Sequence, residues 1–344
     1  MSGIKEKAAI GVGVGIAVSA LTGAYYWYQA KVRNAYPKAW RRVGTLSNLA
    51  YSPIKSCKAI YLNDADCKAI GIEKGQCRDH MLMLIDGSNK VVTARGYPHM
   101  LKIKQVPNDK GITVSAPGMD PLEIQYSDIG QGDTIKASIF GSDVFVVECG
   151  RKYDDWFSKF IDEKERVKLV FYPYHTPTRV VEKALANGIF LNEDTGALQD
   201  ISSYMLINEA SVNDLNKRLK RPINPMQFRP SFLVKTDGPA YDEDNWNWIK
   251  IGNDAVFRTV APCYRCILPN INMETAERDP DGDPLTTLKS YRCNRSSKSP
   301  VMGLQLGIRT PGYVKVGDEV FFCAKIAVYL LPTVHPGTPQ KSVI

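Results

Sequence analysis

The stretch Phe257-Arg-Thr-Val-Ala-Pro-Cys-Tyr-Arg-Cys266 runs from a strand-like apolar segment into a cysteine pair, and its reading decides the fold. Phe257 to Pro262 reads as a strand, and Ile267 to Asn270 leads into a turn-rich loop, Asp279-Pro-Asp-Gly-Asp-Pro284. A thioredoxin-like redox pair needs Cys-x-x-Cys at the start of a helix, where the dipole lowers the first thiol's pKa, so this setting does not suit that chemistry. A structural zinc needs four ligands, yet between Ile267 and Ser296 there is only Cys293 and no histidine. The plain alternative is two unrelated core cysteines near a strand end.

Outward from this stretch the chain reads as short strands separated by Gly, Pro, Asn or Asp. Upstream they cover residues 44–52, 81–85, 90–93, 101–105, 112–116, 122–126, 134–139 and 143–148. A helix is expected over Tyr153 to Ile161 with Trp156, Phe157 and Phe160 on one face, followed by a strand over Val167 to Phe171. The loop Tyr172-Pro-Tyr-His-Thr-Pro-Thr178 suggests a boundary. Beyond it a helix is expected from Ser211 to Leu219, with strands over 232–235, 248–251, 255–260, 303–308 and 319–328. Two β-rich units sharing a face would place a cleft between them.

The 344 residues exceed what one ordinary core holds. From Ala8 to Tyr28 there is no charged residue, and such a helix would span roughly 30 Å, the thickness of a bilayer's hydrocarbon core. Tyr25, Tyr26, Trp27 and Tyr28 close the run, and Lys31, Arg33, Lys38, Arg41 and Arg42 follow it with no acid among them, which places that side in the cytosol. A cleaved signal peptide ending near Ala17-Val-Ser-Ala20 is the rival, but the apolar run is long for one and the eight cysteines are unpatterned. Of the net charge of +8, the juxtamembrane cations and Lys5-Glu6-Lys7 account for six, so the rest carries no nucleic-acid footprint.

Three further features belong with Cys266: Ser52-Pro-Ile-Lys55-Ser56-Cys57, Asp200-Ile-Ser202-Ser203 and Gln227-Phe-Arg229-Pro-Ser231. Taken singly, a lysine or arginine at a strand end is usually a solvated charge. Their joint order, with Cys77-Arg-Asp79, Val92-Thr-Ala-Arg95, Glu209-Ala-Ser-Val-Asn-Asp-Leu-Asn216, Thr287-Leu-Lys-Ser-Tyr-Arg292 and Lys315-Val-Gly-Asp318, resembles the MOSC proteins. Within them it is similar to the membrane-anchored amidoxime reducing components.

That resemblance implies an α+β, mostly β fold: an N-terminal transmembrane helix, a β-rich MOSC N-terminal domain and a β-barrel-like MOSC domain. The organisation expected is a tail over 1–7, an anchor over 8–28 and a basic linker over 29–42. Domains over 43–175 and 176–333 and a tail over 334–344 would follow. It also implies a molybdenum cofactor, Mo-molybdopterin, with Cys266 as the thiolate on the metal. Lys55, Ser56 and Arg229 would hold the cofactor's phosphate and pterin, with His80, Asp200, Ser202 and Arg265 as further contacts, and Cys263 would not bind metal. The sequence departs from the family in two places. His80 stands where the family typically has an arginine, and either faces the cofactor or is a satisfied half-buried polar residue. Gln305 replaces an aromatic residue, leaving it a polar contact or none.

The activity so implied is reduction of N-hydroxylated compounds, with electrons from NADH through cytochrome b5 reductase and cytochrome b5. The expected setting is a monomer, bound to membrane lipid through residues 8–42, on the mitochondrial outer membrane, with the endoplasmic reticulum or peroxisome as other addresses. One rival is a cofactor carrier or sulfur-transfer module. Another is an adaptor with zinc at Cys263, Cys266 and Cys293.

Overall fold

The chain enters its fold through a long strand, β1 (Arg41–Tyr51), whose Leu46 and Leu49 side chains are both fully buried on either side of a register shift at Leu46/Asn48. In the computed structural model, residues 23, 35–161, 166–179, 192–293 and 299–324 are described. Pro37–Cys323 form one unit, and Met1–Tyr36 with Ala324–Ile344 another. The β-rich fold and its cavity belong to the first.

Seven further strands join β1 in an eight-stranded sheet: β2 (Ile60–Leu62), β3 (Tyr204–Asn208), β4 (Phe232–Thr236), β5 (Trp246–Ile251), β6 (Ala255–Tyr264), β7 (Val301–Thr310) and β8 (Glu319–Ala324). Their order is β4-β3-β7-β6-β5-β8-β1-β2, and β1 also pairs with β4, which closes the first seven into a barrel. Closure removes the free edges that an open sheet would expose. β3 and β4 run parallel, because helix α2 (Glu209–Asn216) and the segment after it supply the crossover that parallel pairing requires. Inside the barrel Tyr204 stacks on Phe232 with centroids 5.5 Å apart, and Phe257 meets Phe232 edge-on at 5.2 Å. The Tyr204 hydroxyl, buried with them, donates to the carbonyl of Gly71 at 2.8 Å and so is not stranded. Gly303 in β7 has φ +81°, and a Cβ there would lie 2.4 Å from the carbonyl oxygen of Leu206, so only glycine lets β7 pass this close to β3.

Three smaller sheets surround the barrel. A five-stranded one carries the hairpin Thr134–Ile139 and Ser142–Glu148, followed by Lys168–Phe171, Leu82–Ile85 and Val91–Val92. Helix α1 (Arg151–Ile161) buries Tyr153, Phe157 and Ile161 at helical spacing, with Trp156 and Phe160 partly covered.

The expected fold class needs correction. The fold is mostly β with a closed barrel, and no helix among the described residues is long and apolar enough to cross a membrane. Of the anchor expected over 8–28 only Gly23 is described, and the rest lies outside the described residues. Helix α2 starts earlier than expected, because the Asn208 side chain accepts from the Ala210 N–H as its cap. Ser211 is instead buried inside it. A third helix, α3 (Leu285–Tyr291), follows the loop whose composition reads only as turns.

Candidate functional site

Loops that leave several strands line a cavity of about 470 Å³, and all eight sequence-predicted residues are on its wall: Lys55, Ser56, His80, Asp200, Ser202, Arg229, Arg265 and Cys266. The first loop leaves β1 at Ser52. Its Oγ satisfies the carbonyl of Ile54, its N–H donates to Asp79 at 2.7 Å, and Gln105 accepts from the N–H of Ile54 at 2.7 Å. Those bonds coil the loop so that Ser56 sits at φ +72° and Lys55 is buried, its Nζ paired with the Asp200 carboxylate. Burial lowers the Lys55 pKa, and Asp200 opposes that shift.

Asp200 precedes β3 and also accepts from Arg95. Burial would raise its pKa, but Lys55 and Arg95 outweigh that and hold the carboxyl below the ordinary range. Asp79 behaves alike: burial pushes it up, and His80, the Ser52 N–H and Gln199 bring it down. His80, at φ +49°, places Nδ1 2.8 Å from Asp79 Oδ2. The structure therefore gives His80 a carboxylate partner while leaving it on the cavity wall.

Arg229 follows the short turn Pro225–Phe228 with φ +55°. Its Nη2 donates to the Cys57 carbonyl at 2.8 Å, while Nη1 is buried with no hydrogen-bond partner among the described residues. A buried guanidinium nitrogen with no acceptor is costly unless a ligand supplies one. Burial accordingly lowers the Arg229 pKa.

The cysteine pair lies where β6 ends. Irregularities in the β6–β7 register at Thr259/Ala261 and Pro262/Tyr264 bend the strand, as bulges do. Cys263 turns back toward β7, where its Sγ accepts from Gln305 Nε2 at 3.1 Å and from Arg265 Nη1 at 2.9 Å. Arg265 Nη2 donates to the Phe228 carbonyl at 2.6 Å, so both its terminal nitrogens are committed to the protein. Ser202 Oγ lies 2.5 Å from Gln305 Oε1, which places Gln305 as a polar bridge between two loops. Cys266, beyond the strand and half-buried, is hydrogen-bonded to nothing among the described residues.

Sequence reasoning assigned no role to Arg95, Phe140, Tyr51 or Gln199, all of which line the cavity. Arg95 stands in one of the quoted motifs, and the Phe140-Gly141 pair at a hairpin tip is an unusual turn sequence that could have flagged the position.

Four cations, Lys55, Arg95, Arg229 and Arg265, line the cavity against two carboxylates, Asp79 and Asp200. The excess positive charge and the unpartnered Arg229 nitrogen suit an anion such as a phosphate. Among the described residues no three His, Cys, Asp or Glu are grouped to hold a metal ion. A metal beside Cys266 would then need a soft ion whose other ligands come with a cofactor. An anionic metal–dithiolene pterin meets both conditions, so the residues present fit the group that the resemblance implies.

Comparison with known families matches residues 43–164 to the MOSC N-terminal beta barrel domain and residues 194–321 to the MOSC domain. The chain is 32% identical over 314 residues to mitochondrial amidoxime-reducing component 1 of Mus musculus, covering 90% of each protein. It is 31% identical over 322 residues to component 1 of Homo sapiens, covering 90% of this chain and 92% of that one. With component 2 of Bos taurus it shares 33% over 301 residues, 84% of this chain and 87% of that protein.

Proposed function

The chain belongs to the MOSC-domain family of mitochondrial amidoxime-reducing components, and from that membership we propose that it is a molybdenum-cofactor enzyme that reduces N-hydroxylated compounds. The observation that carries the proposal is a cavity uniting the thiol of Cys266 with a buried guanidinium nitrogen of Arg229, neither of which has a hydrogen-bond partner among the described residues. When bound, the cofactor supplies the two-electron reduction that cleaves the N–O bond.

The chain's own residues supply the rest. Lys55, Ser56 and Arg229 would hold the phosphate and pterin, the Lys55 and Arg229 charges being fixed by their own contacts before a ligand arrives. Asp200 orients Lys55 and Arg95 and limits the excess charge. Cys266 would provide the thiolate, while Gln305 and Arg265 occupy Cys263 and hold the strand end that carries it. Ser202 bonds to Gln305 within that brace, and His80 offers a further polar contact backed by Asp79. Reduction of R–NHOH consumes two electrons and two protons and yields R–NH₂ and water. We propose that NADH supplies the electrons through cytochrome b5 reductase and cytochrome b5, and that the protein is mitochondrial, a location supported by the names of its relatives.

The test is metal and pterin content of protein made in a host that synthesises molybdenum cofactor, followed by turnover of an amidoxime with both electron-transfer partners added. Molybdenum and pterin near equivalence with the chain, and amine formation, are the expected results. Zinc without pterin would overturn the proposal, and bound cofactor without turnover would point to a carrier.

A further inference from the structure

The hairpin Thr134–Ile139 and Ser142–Glu148 turns through two residues, since Ile139 pairs with Ser142 and only Phe140 and Gly141 lie between. Both are left-handed, with φ +49° and +89°, the backbone of a type I′ turn. Such turns favour Asn-Gly, because a bulky side chain at positive φ crowds its own backbone. Phe140 thus occupies a position its local conformation disfavours, and it remains 48% exposed, so burial does not compensate. Conflicts of this kind concentrate at functional sites.

The ring stands at the rim of the cavity, whose wall it forms with Ile139 and Ser142. One face is covered by the Arg95 guanidinium, 4.0 Å from the ring centroid. Arg95 is fixed in turn by Asp200 and by Arg278, which donates to its carbonyl at 2.5 Å. The hairpin is braced from behind where the Ser138 N–H donates to the Asn89 carbonyl at 2.8 Å. A rigid aromatic plate therefore lines the entrance, backed by a cation on one side.

We propose that Phe140 is a specificity residue: its face away from Arg95 is the platform for the flat, π-bearing group of a neutral aryl amidoxime. The proposal rests on the N-reductase reading and adds to it a residue that selects among its substrates. Offset stacking favours planar groups. The guanidinium behind the ring draws its electron density away, and the cavity is already net positive, so a cationic ligand gains little there. An amidoxime is neutral near pH 7, whereas the amidine it becomes is a cation. The same surface thus receives substrate and does not retain product.

The test compares wild type with Phe140→Asn, which suits the turn, and with Phe140→Tyr, which keeps a ring. The ratio of kcat/KM for benzamidoxime to that for hydroxylamine is expected to fall about fivefold in Phe140→Asn, through KM for benzamidoxime, and to stay within about twofold in Phe140→Tyr. Binding of benzamidoxime to the cofactor-loaded protein, followed by ligand-observed NMR without electron donor, is expected to weaken by about the same factor, with benzamidine binding more weakly than benzamidoxime to wild type. A ratio and an affinity unmoved by Phe140→Asn would overturn the assignment. Absence of turnover in wild type on either substrate would instead refute the reductase reading, and the binding comparison would still decide the role of Phe140.

Discussion

Gln305 Nε2 lies 3.1 Å from Cys263 Sγ, so of the two cysteines, both of which line the cavity, the first is engaged by the neighbouring strand while Cys266, three residues on, has no hydrogen bond among the described residues. Two cysteines in one short motif thereby acquire different environments. Cys266→Ala is expected to lower turnover about 100-fold or more, while Cys263→Ala stays within about tenfold of wild type. Steady-state reduction assays alongside molybdenum and pterin analysis check this, and equal losses in the two variants would contradict the division.

Lys55 and Arg229 are placed to hold an anion, and removing either charge should be felt first in cofactor retention. Lys55→Met and Arg229→Met are each expected to weaken pterin retention about tenfold, in line with charge-assisted hydrogen bonds worth about 1.5–3 kcal/mol. Pterin fluorescence after gel filtration at low and high salt reads the effect, with circular dichroism as the control for folding. Full retention in both variants would show that the phosphate sits elsewhere.

Two buried carboxylates should give opposite pH signatures. Asp79 is held below its ordinary value, because His80, the Ser52 N–H and Gln199 outweigh burial. Its contribution is therefore present above the unfolded value of about 3.9 and lost as pH falls through the folded one. Asp79→Asn is expected to cost about 2 kcal/mol at pH 7, with the gap to wild type narrowing below about pH 4.

Glu243 is raised by burial, which its bonds from Ser211 and Asn208 only partly offset. Its contribution is full below the unfolded value of about 4.3 and is lost as pH rises through the folded one. Glu243→Gln is expected to gain up to about 1 kcal/mol at pH 7, and the gain to vanish near pH 4. Urea unfolding of wild type and both variants at several pH values checks the two signs, and parallel pH dependence would show that one is wrong.

Asp194 is fully buried between Arg258, 3.0 Å away, and Arg309, at 2.6 Å. Asp194→Asn would leave two guanidinium groups facing each other without their shared anion. A loss of about 3–5 kcal/mol is expected, read from chemical denaturation, with Asp194→Glu losing less if the cavity accommodates the extra methylene. A loss under about 1 kcal/mol would show that solvent already screens the arginines.

Much of the strand pattern was legible because the strands alternate. Thr134–Ile139 lies where the sequence placed it, and β1, β4 and the strand Leu122–Gln125 differ from expectation by a few residues at most. Asp64–Lys68, Gly71–Lys74 and Cys77–Arg78 were not legible, since they are short and polar and are held by pairing with one another and with Gly312–Lys315. Helix α3 was hidden because its seven residues follow a Pro- and Gly-rich loop whose composition masks the helical signal.

By itself the sequence determined the β-rich character, the order of the motifs and the residue types able to hold an anion and a soft metal, because local hydropathy and side-chain chemistry are properties of the chain. Only the tertiary structure decided which of those residues meet. Barrel closure between β1 and β4, with the loops around it, brings Lys55 against Asp200 across 145 positions and Arg229 against Cys57 across 172. It also decided what Cys263, Gln305 and Phe140 do. A thiol's partners, a glutamine's bridge and an aromatic ring at a rim depend on strand register and backbone hand, which long-range pairing sets and local sequence does not.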